Sequence, residues 1–136
     1  MISATDVQNL FGEHLALIKD DDLRQKTVDT WVAGCSQGGW ESVEQLKSMP
    51  FTLLTDTHGI DFIQHTLAVT EGALALAQAK LKYSPELPYA INIDFVVAGG
   101  ILHDVGKLLE IQPDGQGGFR KSFSGRCARH PISGAI

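Results

Sequence analysis

The chain has 136 residues, of which 43% are hydrophobic and 20% charged, and its formal net charge is −5. This composition is typical of an ordinary globular domain, and the negative charge argues against a surface that binds nucleic acid throughout. No stretch is long and apolar enough to span a bilayer, and residues 2–6 lack the basic and apolar regions of a signal peptide. Because Cys35 and Cys127 lie far apart, we expect reduced thiols and a cytoplasmic protein that does not bind membranes.

The first 50 residues are predicted to form an N-terminal helical layer, with helices over residues 5–19, 20–35 and 41–49. The acidic triplet at residues 20–22 favours the N-terminus of the second of these helices. His14 falls on the apolar stripe of the first helix, and we interpret it as part of that amphipathic surface rather than as a functional residue. The remainder, residues 51–136, is predicted to be the functional domain.

The longest predicted helix covers residues 60–82, where five alanines give high helix propensity. His65 shares a stripe with Val69 and Leu76, so it is expected to face the interior. A single inward histidine is also compatible with a core residue that has no ligand. His58 lies seven residues earlier and could share that face or could precede the helix. A loop is predicted over residues 84–88.

A second apolar run, residues 95–102, leads directly into His103 and Asp104. Apolar residues cover every face of this run, so we predict a buried helix over about 91–106, central to the fold and packed against helix 60–82. Burying a histidine and an aspartate at its end is costly unless both are satisfied. A divalent metal satisfies an imidazole nitrogen and a carboxylate oxygen together, whereas the simpler alternative is a histidine oriented by its neighbours.

The residues after this pair suggest how the helix ends and what it faces. Gly106 is predicted to occupy the position after the helix, where a positive φ is needed. Lys107 is placed to favour the negative end of the helix dipole or an anionic ligand. Residues 113–118 are a clear turn, and residues 119–123 are predicted to be extended.

The C-terminal segment is basic, and no acidic residue follows Asp114. Its four cationic residues are Arg120, Lys121, Arg126 and Arg129. Pro131 suits the first turn of a final helix, which would place His130 at its start.

With His65, the His103-Asp104 pair and His130 in this order, the chain resembles the HD superfamily of metal-dependent phosphohydrolases, of the HDIG type. The resemblance covers residues 57–136. Its matching segments are Gln64-His65-Thr66-Leu67-Ala68-Val69, Gly100-Ile101-Leu102-His103-Asp104-Val105-Gly106-Lys107 and Arg129-His130-Pro131-Ile132-Ser133-Gly134. An apolar helix that ends in His-Asp-Val-Gly-Lys is more specific than the dipeptide alone.

Helical periodicity, with no alternating strand pattern, predicts an all-α fold of five to seven helices, and the resemblance implies an HD-domain-like helical bundle. It implies that His65, His103 and Asp104 bind a divalent metal ion (Mn, Fe, Co, Ni, Zn or Mg), and that His130 extends the site to a second metal. We therefore expect His65, His103 and Asp104 to converge on one point.

The expected reaction is hydrolysis of a phosphomonoester or phosphodiester by metal-activated water, with Asp104 and Lys107 as catalytic residues. Substrate phosphates are expected to contact Lys107, Arg126 and Arg129. The substrate would be a phosphate-containing small molecule, a nucleotide or an RNA end.

The sequence departs from the family in one respect. Family members usually add a further aspartate from a C-terminal helix, and none is available after Asp114. We therefore expect a bundle that is incomplete at its C-terminus, a further C-terminal segment or domain, and weak catalysis by this chain, with His130 poorly held. Two alternatives remain open: a non-catalytic regulatory or binding module on an HD-like scaffold, and a purely structural helical domain.

Overall fold

The computed structural model describes residues 1–84 and 86–136. Within them it contains eight helices and one two-stranded sheet. In chain order these are α1 (Ala4–Leu15), α2 (Asp21–Gly38), α3 (Val43–Ser48), α4 (Phe62–Tyr83), α5 (Ile93–Leu102), α6 (Lys107–Glu110), β1 (Ile111–Pro113), β2 (Phe119–Lys121), α7 (Phe123–Cys127) and α8 (His130–Ser133). The prediction of a mostly helical protein is confirmed.

Local hydrogen bonding explains where the first five helices begin. In each, the side chain of the residue before the helix accepts a hydrogen bond from the backbone N–H three residues further on. These capping residues are Ser3, Asp20, Ser42, Asp61 and Asn92. Helix α2 ends at Gly39, whose φ of 76° is readily adopted only without a side chain.

The hydrophobic core joins the N-terminal helices to α4 and α5. Trp31 of α2 lies at its centre, with its ring 4.7 Å from that of Phe11 and 5.5 Å from that of Phe62. All three side chains are fully buried, so the core is built around aromatic contacts between α1, α2 and α4.

Two tryptophans also fix the backbone near the His-Asp pair. The indole Nε1 of Trp31 donates to the carbonyl of Ile101 at 2.9 Å, and that of Trp40 donates to the carbonyl of Leu108 at 2.8 Å. Both bonds are buried, so leaving either carbonyl without its donor would be costly. The first 50 residues therefore position the segment that carries the polar cluster.

Helix α4 packs along α5, as expected from the sequence. Gly100 permits the close approach, because a Cβ at this position would lie 2.7 Å from the Cα of Thr70. His103 is the residue after α5, and the close packing of the two helices brings it beside the beginning of α4.

Three details of the sequence prediction are wrong. Helix α5 ends at Leu102, and the next residues turn through hydrogen bonds to the third preceding carbonyl, from Val105 to Leu102 and from Lys107 to Asp104. Gly106 has a φ of −61°, so it is not a positive-φ residue that ends the helix. A Cβ there would lie 2.4 Å from the carbonyl oxygen of His130, so its lack of a side chain allows close packing instead.

The helix count is the third detail. Eight helices occur among the described residues because α6, α7 and α8 are separate short helices of four or five residues. His14 is only 8% exposed and lies on the buried side of α1 with Val7 and Phe11, in keeping with its place on the apolar stripe.

A small hairpin separates α6 from the last two helices. Its strands β1 and β2 are antiparallel, with Ile111 opposite Lys121 and Pro113 opposite Phe119. The extended stretch predicted around 119–123 is thus confirmed in part. Of the loop predicted over residues 84–88, residue 85 lies outside the described residues, and the others are irregular. No helix in the described part of the chain combines the length and apolarity needed to cross a bilayer.

Candidate metal centre

Asp104 lies at the centre of a cluster of polar side chains that four separate segments contribute. Its oxygen Oδ2 is 3.5 Å from Nε2 of His65, 3.3 Å from Nε2 of His103 and 2.9 Å from Nζ of Lys107. Its other oxygen, Oδ1, is 3.3 Å from Nε2 of His130. The side chain of Asp104 is 12% exposed, so these groups replace most of its water.

The three residues expected to share a metal do converge. One nitrogen from His65, one from His103 and one oxygen of Asp104 lie within 4.8 Å of one another. His65 reaches this point from the first turns of α4, and its ring stacks on that of Phe51 with centroids 4.5 Å apart. The aromatic contact fixes the plane of the imidazole.

A backbone carbonyl defines which ring nitrogen of His103 carries the proton. Its Nδ1 lies 2.7 Å from the carbonyl oxygen of Gly100, which can only accept, so Nδ1 carries the hydrogen. When the ring is neutral its lone pair is on Nε2, which faces Asp104, and when the ring is protonated Nε2 donates to that carboxylate instead. Histidines that ligate metals in proteins show this pattern, with the distal nitrogen hydrogen-bonded to a carbonyl or carboxylate.

His130 is held by an acid that the sequence pattern did not single out. Glu110 accepts hydrogen bonds from both the backbone nitrogen and Nδ1 of His130, each at 2.7 Å. Its other oxygen accepts from Nε of Arg129 at 2.8 Å. The expectation that His130 is poorly held is therefore wrong, because a buried carboxylate fixes both its backbone and its ring.

The only sequence signal for Glu110 is an acidic residue next to two leucines, Leu108 and Leu109. A buried acid in such a context requires partners. Its partners lie 19 and 20 residues later, beyond the hairpin, so their identity depends on the tertiary fold.

Lys107 is largely buried and has two partners. Besides Asp104, its Nζ donates to the carbonyl oxygen of Phe51 at 2.6 Å. It also lies 5.9 Å from the centre of the Phe51 ring. Lys107 was expected to favour a helix dipole or an anionic ligand. It instead links the 51–61 segment to the cluster around Asp104.

The electrostatics of the cluster favour an ionised carboxylate. Burial acts to raise the pKa of Asp104, but hydrogen bonds from His103 and Lys107 outweigh it, and the pKa lies well below its usual range. Burial lowers the pKa of His65, with Lys107 and His103 adding to the effect, so this imidazole is neutral at neutral pH. Its contact with Asp104 raises the pKa of His103.

These observations fit a divalent metal. Two imidazole nitrogens and a carboxylate form a nitrogen-oxygen donor set that suits Mn, Fe, Co, Ni or Zn, whereas Mg favours sites richer in oxygen. The bond from Nδ1 of His103 to Gly100 leaves Nε2 facing the cluster, and the lowered pKa of His65 favours the neutral ring that metal binding needs. The described residues can therefore hold a metal ion at His65, His103 and Asp104, and no metal identity is singled out.

The other predicted site residues lie in different places relative to the cluster. Arg129 borders the cluster through Glu110. Arg126 lies outside it, with its guanidinium 5.9 Å from the centre of the Phe123 ring. His58 precedes α4 and is exposed, with its nearest acidic partner at Asp56. The roles assigned to Arg126 and Arg129 remain predictions.

Comparison of the chain with protein-family models, with curated proteins and with solved structures finds no match.

Proposed function

We propose that this chain is a metal-dependent phosphohydrolase with an HD-type site. The observation that supports it most is the convergence of His65, His103 and Asp104 within 4.8 Å, with the proton of His103 fixed on the nitrogen that faces away. Two imidazole rings facing an ionised carboxylate, one of them with a lowered pKa, form a donor set that suits a divalent ion. The resemblance of residues 57–136 to the HD superfamily supports the same reading.

A divalent ion bound here would supply Lewis acidity toward a phosphoryl oxygen and lower the pKa of a nearby water. The protein residues provide the rest. Lys107 holds Asp104 in place through its 2.9 Å contact and balances part of its charge. Glu110 keeps the proton of His130 on Nδ1, which leaves Nε2 facing Asp104 as a ligand or proton acceptor. Cationic side chains beside the cluster would stabilise the charge of a phosphoryl group.

One observation favours the alternative of a non-catalytic regulatory or binding module. The ammonium of Lys107 contacts the same oxygen of Asp104, Oδ2, that faces both His65 and His103. A lysine in that place could satisfy the carboxylate as an internal ion pair without any metal. The two readings differ in turnover, which the phosphohydrolase carries out with a bound metal and the regulatory or binding module does not carry out at all.

The test compares the whole chain with two aspartate variants. Asp104→Asn keeps the shape of the central side chain and removes its charge, and Asp29→Asn is the control at an exposed position of α2. Binding of Mn²⁺ is measured by titration calorimetry, and hydrolysis of p-nitrophenyl phosphate and bis(p-nitrophenyl) phosphate is measured in the same buffer. Circular dichroism establishes that each variant is folded.

The wild-type chain and Asp29→Asn are expected to bind Mn²⁺ and to hydrolyse at least one of the esters, and Asp104→Asn is expected to lose both properties. Binding without hydrolysis of either ester would favour the regulatory module. Absence of Mn²⁺ binding by the wild-type chain would refute the proposal.

A further inference from the structure

A small cavity of about 120 Å³ lies beside the cluster, on the side of the hairpin. Its walls come from three parts of the chain: the 52–54 segment, the junction of α6 and β1, and the end of β2 with the start of α8. The lining residues used below are Leu53, Leu54, Lys107, Glu110, Lys121 and Arg129. Two of them, Lys107 and Glu110, contact the metal-binding cluster directly.

The cavity has an excess of positive charge in a protein whose net charge is negative. It is lined by three cations, Lys107, Lys121 and Arg129, and by one carboxylate, Glu110. The charge of Glu110 is offset by its ion pair with Arg129, so the remaining cations, Lys107 and Lys121, set the sign of the cavity. The cavity is therefore suited to bind an anion.

Lys121 is the cation that the fold leaves available. Among the described residues it forms no ion pair, whereas Lys107 pairs with Asp104 and Arg129 with Glu110. Successive strand residues face opposite sides, and the preceding residue, Arg120, lies beside Gln112 on the other side of the hairpin. This alternation directs Lys121 to the cavity and Arg120 away from it.

The size of the cavity limits what it can hold. Its volume of about 120 Å³ is enough for several water molecules. It is well below the roughly 300–1,000 Å³ of pockets that enclose a complete organic ligand. A single tetrahedral phosphoryl group has this scale, whereas a nucleobase with its sugar does not.

We infer that this cavity binds the terminal phosphoryl group of a phosphomonoester through Lys121 and Arg129, with the organic part of the substrate outside. A terminal phosphoryl group carries a charge of about −1.5 to −2 at neutral pH, which suits a cavity with several cations. A phosphodiester carries a single charge, so its attraction to the cations of the cavity is weaker. As a substrate site, the cavity rests on the proposed function. Its affinity for phosphate can be measured separately.

The experiment uses the whole chain, freed of metal with EDTA, and follows binding of inorganic phosphate and of dimethyl phosphate by ³¹P NMR at low salt. Lys121→Gln removes the available charge, and Lys121→Arg retains it. Lys80→Gln is the control, because Lys80 is an exposed residue of α4 that does not line the cavity. Wild type and variants are also assayed with Mn²⁺ on p-nitrophenyl phosphate and bis(p-nitrophenyl) phosphate.

Wild type, Lys121→Arg and Lys80→Gln are expected to bind phosphate alike. Lys121→Gln should weaken binding about 10-fold, which is the effect of losing one charge-assisted hydrogen bond, and dimethyl phosphate should bind wild type at least about 10-fold more weakly than phosphate. In the Mn²⁺ assay the monoester should be the preferred substrate, and Lys121→Gln should raise its KM.

Equal phosphate affinity in wild type and Lys121→Gln would overturn the inference, as would equal affinity for the two phosphates, even if esters are hydrolysed. Phosphate binding through Lys121 in a protein that neither binds Mn²⁺ nor hydrolyses esters would support the anion cavity and refute the proposed function. The two claims therefore fail separately.

Discussion

Glu110 binds His130 by two hydrogen bonds of 2.7 Å, one from the backbone nitrogen and one from Nδ1 of the ring. A single carboxylate at the end of α6 therefore fixes both the start of α8 and the direction of an imidazole. Because Nδ1 is used in this way, Nε2 faces Asp104 at 3.3 Å. The cluster around the His103-Asp104 pair therefore includes His130, which lies more than 20 residues later in the chain.

We predict that Glu110→Ala destabilises the protein by about 2 kcal/mol, because it leaves the ring and backbone of His130 and the guanidinium of Arg129 without their acceptor. Urea denaturation measures the change. Glu71→Ala, at an exposed position in α4, is the control and should change stability little. Similar stabilities of the two variants would contradict the role assigned to Glu110.

We predict that Gly106→Ala displaces α8 and lowers stability by about 1–3 kcal/mol, because the new Cβ would lie 2.4 Å from the carbonyl oxygen of His130 and 2.6 Å from the nitrogen of Gly134. The ring resonances of His130 in ¹H–¹⁵N spectra should shift as well. Gly12→Ala is the control, since a Cβ added there would meet no atom within 4 Å. Unchanged His130 resonances in Gly106→Ala would show that α8 tolerates the methyl group.

The two adjacent glycines of α5 should respond in opposite ways to alanine. Gly99→Ala adds a methyl group in open space on a helix and should stabilise the protein by about 0.5–1 kcal/mol. Gly100→Ala forces the backbone of Thr70 away and should destabilise it. Thermal unfolding of both variants measures the difference. Equal effects would mean that α4 and α5 are not packed as closely as described.

Asp94 should contribute to stability in a way that depends on pH. Its two oxygens accept hydrogen bonds from the backbone nitrogens of Lys19 and Asp20, and these bonds lower its pKa. A carboxyl whose pKa is lower in the folded state stabilises that state above its unfolded pKa of about 3.9, and loses this effect as the pH falls through the folded pKa.

Asp94→Asn should therefore unfold at a lower urea concentration than wild type at pH 7, and the gap should shrink below about pH 4. Asp29→Asn, measured in parallel, accounts for general effects of removing a charge. A gap that stays constant down to about pH 2.5, well below the unfolded pKa, would contradict the assigned role of the Asp94 carboxylate.

The two thiols should differ sharply in reactivity. Burial raises the pKa of Cys35 to about 12, whereas Cys127 is exposed. Because the thiolate is the reactive form, a disulfide reagent at about pH 8 should modify one thiol in the native protein and two in denaturant. Cys127→Ser should abolish the native reaction. Rapid labelling of Cys35 in the folded protein would contradict its burial between the helices.

Much of the local structure follows from the sequence. The alanine-rich helix 60–82 and the apolar helix that leads to His103 could be identified without the fold, because propensity and periodicity are local, and their caps, Asp61 and Asn92, also act within three residues. The same holds for the inward direction of His65 and for the grouping of His103 with Asp104, because an apolar context makes isolated polar groups costly. The predicted domain boundary after residue 50 remains a prediction.

Other features depended on contacts between distant parts of the chain. Lys107 meets the carbonyl of Phe51, 56 residues earlier, and Glu110 meets His130, 20 residues later. Gly106 was expected to supply a positive φ and instead supplies space for α8. Local hydrogen bonds are encoded within a few residues. The partners of Glu110 and the direction of the Lys121 side chain toward the cavity depend instead on how the hairpin folds back over α6. That arrangement comes from packing across the whole core, which short-range patterns do not specify.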